Sequence, residues 1–346
     1  MRNNLAVLAF FLVPGFLFSQ DTVKVMGNDP QAQAEKFYNS GTGNFAIKNY
    51  QSALSDFTQA VTLKPDFEKA YYNRGTTKFE LKDVNGAIED YNKTVSLNAQ
   101  NDMAYFSRGQ AYYSLGKKTD ATMDYTKAIE LNPSYAQSYY YRGGIKFENG
   151  DYQGAVNDFS KAIELKPDYV YAYNDRASAK RELKDYDGAV SDYQKAVSIS
   201  GSYPFIYNNL GSAKRKKGDF KGAVSAYDEA IKLKPDYITY NNRGSAKFDA
   251  GDYKGAIADF TQSINLKNDY AFAYNNRAGA KIKQEDYKGA IDDCNKALTL
   301  DSKYGYAYLN RGIAKEMLRD VSKCSDWKKA SELGVEVAKS YIQGCE

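Results

Sequence analysis

The sequence predicts an all-α chain built as a tandem array of helix pairs, and three observations carry that prediction. Small residues recur at a fixed step: Gly41, Gly75, Gly109, Gly143, Ala177, Gly211, Gly244, Ala278 and Gly312 lie 34 residues apart, save one step of 33 from Gly211 to Gly244. A helix stop followed by a helix start returns with the same period, clearest at Gly150-Asp151 and in the runs Asp185-Tyr-Asp-Gly-Ala189, Asp219-Phe-Lys-Gly-Ala223, Asp252-Tyr-Lys-Gly-Ala256 and Asp286-Tyr-Lys-Gly-Ala290. Glycine ends one helix in the left-handed conformation, and the aspartate accepts from the free N–H groups that open the next. Beyond that start, Ala155, Phe159, Ala162 and Leu165 form one apolar stripe at helical spacing, and Pro167 stops the helix.

The chain opens on Arg2 and an apolar run from Leu5 to Phe18, too short to cross a bilayer, with Ser19 before Gln20. Residues 1–19 are therefore expected to be an export signal, which places the mature chain in an oxidising compartment, periplasmic or secreted. Residues 20–33 form a short polar leader. A second small residue follows each first one by twelve: Ala53, Ala87, Ala121, Ala155, Ala189, Ala223, Ala256 and Ala290. An aromatic stands four before each first small residue, from Phe37 and Tyr71 to Tyr274 and Tyr308. Another stands sixteen after it, from Phe57 and Tyr91 to Phe260, and Cys294 takes that place next. Small residues let helices approach, and aromatics fill the space around them.

Period, aromatic, small residue, Ala, aromatic, Ala and Pro (Tyr139, Gly143, Ala155, Phe159, Ala162, Pro167) together resemble the tetratricopeptide repeat. The resemblance covers residues 34–333, in nine copies: 34–67, 68–101, 102–135, 136–169, 170–203, 204–236, 237–270, 271–304 and 305–333. It implies an α-solenoid, a right-handed superhelix whose first helices line a concave face. This chain departs from the family by placing Arg before most of the small residues and by lacking the terminal Pro at Ala99, Gly201, Asn268 and Ser302.

The arginines have an internal explanation. Arg74, Arg108, Arg142, Arg176, Arg243, Arg277 and Arg311 accompany Asp90, Asp124, Asp158, Asp192, Asp259, Asp293 and Asp326, and the copy with Leu210 in place of Arg also has Ala226 in place of Asp. Joint loss predicts an Arg–Asp contact between the two helices of a repeat. The first copy, Ser40 with Asp56, breaks the pairing. Residues 334–346 read as a short amphipathic helix capping the last repeat. Cys324 and Cys345 fall in the last repeat and its cap, either as a bridge stapling one to the other or as two buried thiols. Cys294, at a core aromatic position, reads as an inert thiol.

Carried onto this sequence, the concave face holds Tyr38, Tyr72, Phe106 and Tyr140 in the first four copies and Asn174, Asn208, Asn241 and Asn275 in the next four. Beside them run Asn39, Asn73, Asn209, Asn242, Asn276 and Asn310. These resemble the asparagine ladder by which some members of the family hold a peptide backbone, since a carboxamide offers one acceptor and two donors.

Composition narrows the function. The 47 basic and 43 acidic residues leave a net charge of +4, which does not point to a nucleic-acid or membrane-surface partner. There is no histidine, which removes Ser–His and Cys–His nucleophiles and His-ligated metal. No phosphate loop or metal cluster appears, so neither cofactor nor metal is expected and the chain does not read as an enzyme. The expectation is a non-catalytic scaffold outside the cytoplasm, with no span in the mature chain, holding a protein or peptide in its groove, alone or as a subunit of an envelope complex. A second class is a cell-envelope glycan in the Tyr- and Asn-rich groove. A third, single-stranded RNA, suits neither the charge nor the export signal.

Overall fold

The structure, a computed structural model, describes residues 29–345, so the expected export signal and residues 20–28 of the leader lie outside the described residues. The chain divides into two compact units at Asn132 and Pro133. The described part of unit 1 holds three helix pairs: α1 (Pro30–Ala46) with α2 (Tyr50–Leu63), α3 (Glu68–Glu80) with α4 (Val84–Leu97), and α5 (Asp102–Ser114) with α6 (Lys118–Leu131). Unit 2 begins with α7 (Ala136–Glu148) and α8 (Tyr152–Leu165), α9 (Val170–Glu182) and α10 (Tyr186–Ile199), and α11 (Pro204–Lys217) and α12 (Phe220–Leu233). It continues with α13 (Tyr237–Asp249) and α14 (Tyr253–Leu266), α15 (Ala271–Lys283) and α16 (Tyr287–Leu300), α17 (Gly305–Met317) and α18 (Lys323–Glu332), then α19 (Ala338–Ile342). Among the described residues there is no strand, and no helix is long and apolar enough to cross a membrane. The first helix starts earlier than expected: Asp29 accepts from Gln31 N and Pro30 takes the first turn, so residues 30–33 belong to α1 rather than to the leader.

The period-34 small residue is a notch for the ring on the partner helix. A Cβ added at Gly75, Gly109, Gly211 or Gly244 would come within 2.7–2.9 Å of the rings of Tyr91, Tyr125, Tyr227 or Phe260. Those four rings are almost wholly buried, which makes the glycine-over-ring contact the core of each repeat. Ala278 meets the smaller Cys294, whose thiol burial pushes up to about 12, out of nucleophilic range.

The Asp-x-x-Gly signature is explained at its helix start. Asp83, Asp151, Asp185, Asp219, Asp252 and Asp286 each accept from the N–H of the glycine three residues on, at 2.9–3.0 Å. A Cβ on that glycine would overlap the capping carboxylate. Before the cap, Gly150 turns the chain with φ +81°, while Lys184 holds the same place at +64° against its side chain's preference. Helix α6 lacks this cap, since Lys117 stands there without a side-chain bond. Changing Lys117→Asp together with Asp120→Gly should stabilise the chain by about 1 kcal/mol, a rise of about 2 °C in Tm by calorimetry.

Each expected Arg–Asp pair is present as a two-pronged contact. Arg Nε and Nη2 donate to the two oxygens of Asp90, Asp124, Asp158, Asp192, Asp259, Asp293 and Asp326 within 3.0 Å. A third member joins six of them: Lys78, Lys146, Lys180, Lys247, Lys281 and Lys315 reach the same carboxylates at 2.7–2.9 Å. Tyr112 replaces that lysine beside Asp124, and there burial raises the carboxyl above the ordinary Asp range against the opposing pull of Arg108. In the first repeat, Ser40 and Asn44 donate to Asp56 instead, at 2.7 and 2.8 Å.

The C-terminal cap is shorter than expected from residue 334. Gly334, at φ +85°, ends α18, and only Ala338–Ile342 is α-helical before a 3-10 turn at Gln343–Cys345. Val335, Ala338, Tyr341 and Ile342 cover Leu309 and Trp327, and a disulfide joins Cys324 to Cys345, whose Cα atoms are 5.7 Å apart.

Candidate functional site

In unit 2 the asparagines form two rows with different surroundings. Asn174, Asn241 and Asn275 are buried, and Asn208 is half-buried. The adjacent Asn209, Asn242, Asn276 and Asn310 are all half-buried at the helix surface. Each of these outer residues donates one amide N–H to the inner carboxamide of the preceding repeat: Asn209 to Asn174 (3.1 Å), Asn242 to Asn208 (3.1 Å), Asn276 to Asn241 (2.9 Å) and Asn310 to Asn275 (2.9 Å). Inner amides are drawn further into the fold, Asn174 donating to Asp175 and Asn275 to the Tyr304 hydroxyl.

The inner row therefore ties repeat to repeat; Asn174 and Asn241 are buried rather than lining a groove as expected, while Asn275, though buried, reaches the wall of a cavity. Their place one residue after the packing aromatic turns them under the neighbouring first helix. The outer row is different. Among the described residues its carboxamide oxygens accept no hydrogen bond, and Asn209, Asn242 and Asn276 each keep a second N–H, while Asn310 Nδ2 also donates to the Asn275 carbonyl at 3.5 Å.

The aromatic row is tied in the same way. In unit 1, Asn73 donates to the Tyr38 hydroxyl at 3.2 Å, the Tyr72 hydroxyl lies 3.2 Å from Ser107 Oγ, and Phe106 is buried. Asn39, in the middle of α1, is exposed. In unit 2, Tyr140 donates to Asp175 at 2.7 Å and packs 4.8 Å from the Tyr169 ring, and burial raises both its own hydroxyl and the Asp175 carboxyl above their ordinary ranges. The Tyr row is thus mainly packing, with its hydroxyls spent on the next repeat.

Two cavities open along the first helices of unit 2, one of them at the outer row. One, of about 250 Å³, is lined by Asn275, Asn276, Gly279, Asn310, Phe248 and the pair Arg215 Nε–Asp249 Oδ2 at 2.6 Å. The other, of about 350 Å³, lies among Gly144, Phe147, Asp175, Ser178 and Arg181. A hollow of about 470 Å³ in unit 1, between Asp29, Phe37 and Asp56, sits where no described repeat precedes α1. Among the described residues no group of His, Cys, Asp and Glu is placed to hold a metal.

Models of the tetratricopeptide repeat match the chain over residues 75–116, 103–135, 124–157, 143–180, 170–203, 204–237 and 241–305. The chain belongs to the tetratricopeptide repeat family. No curated protein matches it. Among solved structures it is similar to the C-terminal part of a TPR repeat-containing protein from Cytophaga hutchinsonii, with 18% identity, a TM-score of 0.58, and coverage of 69% of this chain and 98% of that one. It is also similar to a tetratricopeptide repeat protein from Parabacteroides merdae, with 18% identity, a TM-score of 0.52, and coverage of 72% and 99%. At these identities the likeness shows the shared fold.

Proposed function

We propose that this tetratricopeptide repeat protein is a non-catalytic scaffold that holds an extended segment of a partner protein along the first helices of unit 2, outside the cytoplasm. The outer asparagine row carries the proposal. Asn209, Asn242 and Asn276 are held in place by their neighbours, yet each keeps an acceptor and a donor for a ligand, and Asn310, held twice by Asn275, keeps its acceptor. A row of fixed carboxamides pairs main-chain N–H and C=O groups whatever the partner's side chains, and fixing them beforehand lowers the entropy lost on binding. The apolar run Leu5–Phe18 and the Cys324–Cys345 bridge support the exported location.

The test fills the groove and leaves every ladder asparagine in the sequence. A Cβ at Gly279 would meet only Asn310 Nδ2, at 3.9 Å, and one at Gly144 meets nothing within 4 Å. Gly279→Phe should weaken capture of the partner by at least about tenfold, while Tm holds or rises because a mid-helix glycine is lost. Affinity purification with mass spectrometry, followed by titration of the recovered partner, measures both. Undiminished capture by Gly279→Phe and Gly144→Phe alike would remove the groove reading.

A further inference from the structure

The outer row carries a charge in one repeat only. Two residues before the small residue, six repeats place asparagine and two others place Ser107 and Tyr141, while the fifth places Asp175. The fold does not ask for that charge. Tyr140 donates to Asp175 Oδ2 at 2.7 Å across the step from one first helix to the next, and Tyr38 with Asn73 and Tyr72 with Ser107 bridge the same step at 3.2 Å. A neutral partner for the tyrosine therefore serves as well.

The charge is also uncompensated where it stands. Besides Tyr140, Asp175 accepts from Asn174 Nδ2 at 2.8 Å, and among the described residues no lysine or arginine forms an ion pair with it. Burial holds its carboxyl above the ordinary Asp range against the pull of those two hydrogen bonds. A carboxylate offers about four acceptor positions, so two remain. Asp175 is half-buried and lines the cavity of about 350 Å³ together with Gly144, Phe147, Glu148, Ser178 and Arg181. The one cation in that wall, Arg181, is already paired with Glu182 at 3.2 Å, which leaves the wall negative. Gly144 keeps the cavity open, because a Cβ there would meet nothing within 4 Å.

We propose that this cavity takes a lysine or arginine side chain of the segment held along the first helices, with Asp175 as its counter-charge. The inference rests on the groove reading above and gives the partner a chemical requirement: the asparagines hold main chain whatever its sequence, and Asp175 selects one side chain. An ammonium or guanidinium group donates to the two remaining acceptor positions, and the Phe147 ring in the same wall suits a cation over its face. The carboxylate is already desolvated and fixed by Tyr140 and Asn174, so a cation meets it without rearrangement. A neutral or acidic residue at that place leaves the charge unpaired, which is how such a site rejects the wrong partner.

The probe is a library of peptides of about ten residues, acetylated and amidated so that side chains carry the only charges, selected on the purified chain and titrated by fluorescence anisotropy. Retained peptides should share a lysine or arginine at one position, and its replacement by glutamine should weaken binding by at least about tenfold. On Asp175→Asn, which rebuilds the pairing of Tyr38 with Asn73, the two peptides should bind within about twofold of each other. Helicity and Tm of that variant should match or exceed those of the native chain, since a buried charge is removed. Asp175→Ser, on the pattern of Tyr72 and Ser107, reads the same site if the first variant fails to fold. Glu89→Gln, an exposed residue of unit 1 that changes the net charge equally, should leave the preference whole. Retained peptides without a shared cation, or a preference that survives Asp175→Asn, overturn this inference and leave the groove reading standing. No retained peptide, or retention untouched by Gly279→Phe and Gly144→Phe, removes the groove reading and this inference with it.

Discussion

Reducing the Cys324–Cys345 bridge should release the C-terminal cap and shift the fluorescence of the single tryptophan to the red. The bridge closes a loop across 21 residues of sequence, and losing it costs about 3 kcal/mol on the chain-entropy estimate. The segment it holds cannot stand alone: α19 has five residues, far below the length at which an isolated helix persists. Trp327 reports the change because it is 1% exposed, packs 5.1 Å from Tyr341 of the cap, and has an indole N–H with no hydrogen-bond partner among the described residues. Any loosening admits water to that N–H. Cys345→Ser should give the same red shift without reductant, together with faster amide exchange over residues 335–345. An unchanged spectrum in both would mean that the contacts of Val335, Ala338 and Ile342 hold the cap unaided.

The cap also shows what sequence could not settle. Spacing placed the two cysteines in the last repeat and its cap, but whether they meet depends on the turn after Gly334, which shortens the expected helix and swings Cys345 back. The repeat itself was legible because its constraints are steric and recur. A glycine that must sit against a ring leaves the same mark every 34 residues. The Arg–Asp contact was legible because Leu210 and Ala226 change together. Its lysine was not: Lys214 persists in that same repeat without a carboxylate, since a long flexible amine can reach water where a buried Asp cannot. The asparagine rows were only half legible. Neighbouring positions on a helix differ by about 100°, and packing of the adjacent repeat decides which row is covered.

The second large effect is expected at Arg108. Its guanidinium holds Asp124, whose side chain is 7% exposed, and among the described residues it is the one basic group bonded to that carboxylate, because Tyr112 stands where seven other repeats place a lysine. Arg108→Leu leaves a buried charge without a cation and should destabilise the chain by about 3–5 kcal/mol in denaturant unfolding. The double change Arg108→Leu with Asp124→Ala reproduces the pair Leu210 and Ala226, which the chain itself buries at 6% and 5% exposure. It should return to within about 1 kcal/mol of the native chain, because apolar replacement of both partners removes the desolvation cost along with the attraction. Acid separates the two variants further. Burial already raises the Asp124 carboxyl in the native chain, and loss of Arg108 removes the interaction that opposes this. A carboxyl raised above its unfolded value favours the folded state when protonated, and that contribution is lost as pH climbs from the unfolded value through the folded one. The single variant should therefore regain stability relative to the double as pH falls from 7 towards 4.5. A single variant as stable as the double at pH 7 would show that Asp124 finds water on its own, and the Arg–Asp contact would then be an ornament of the repeat rather than a condition of it.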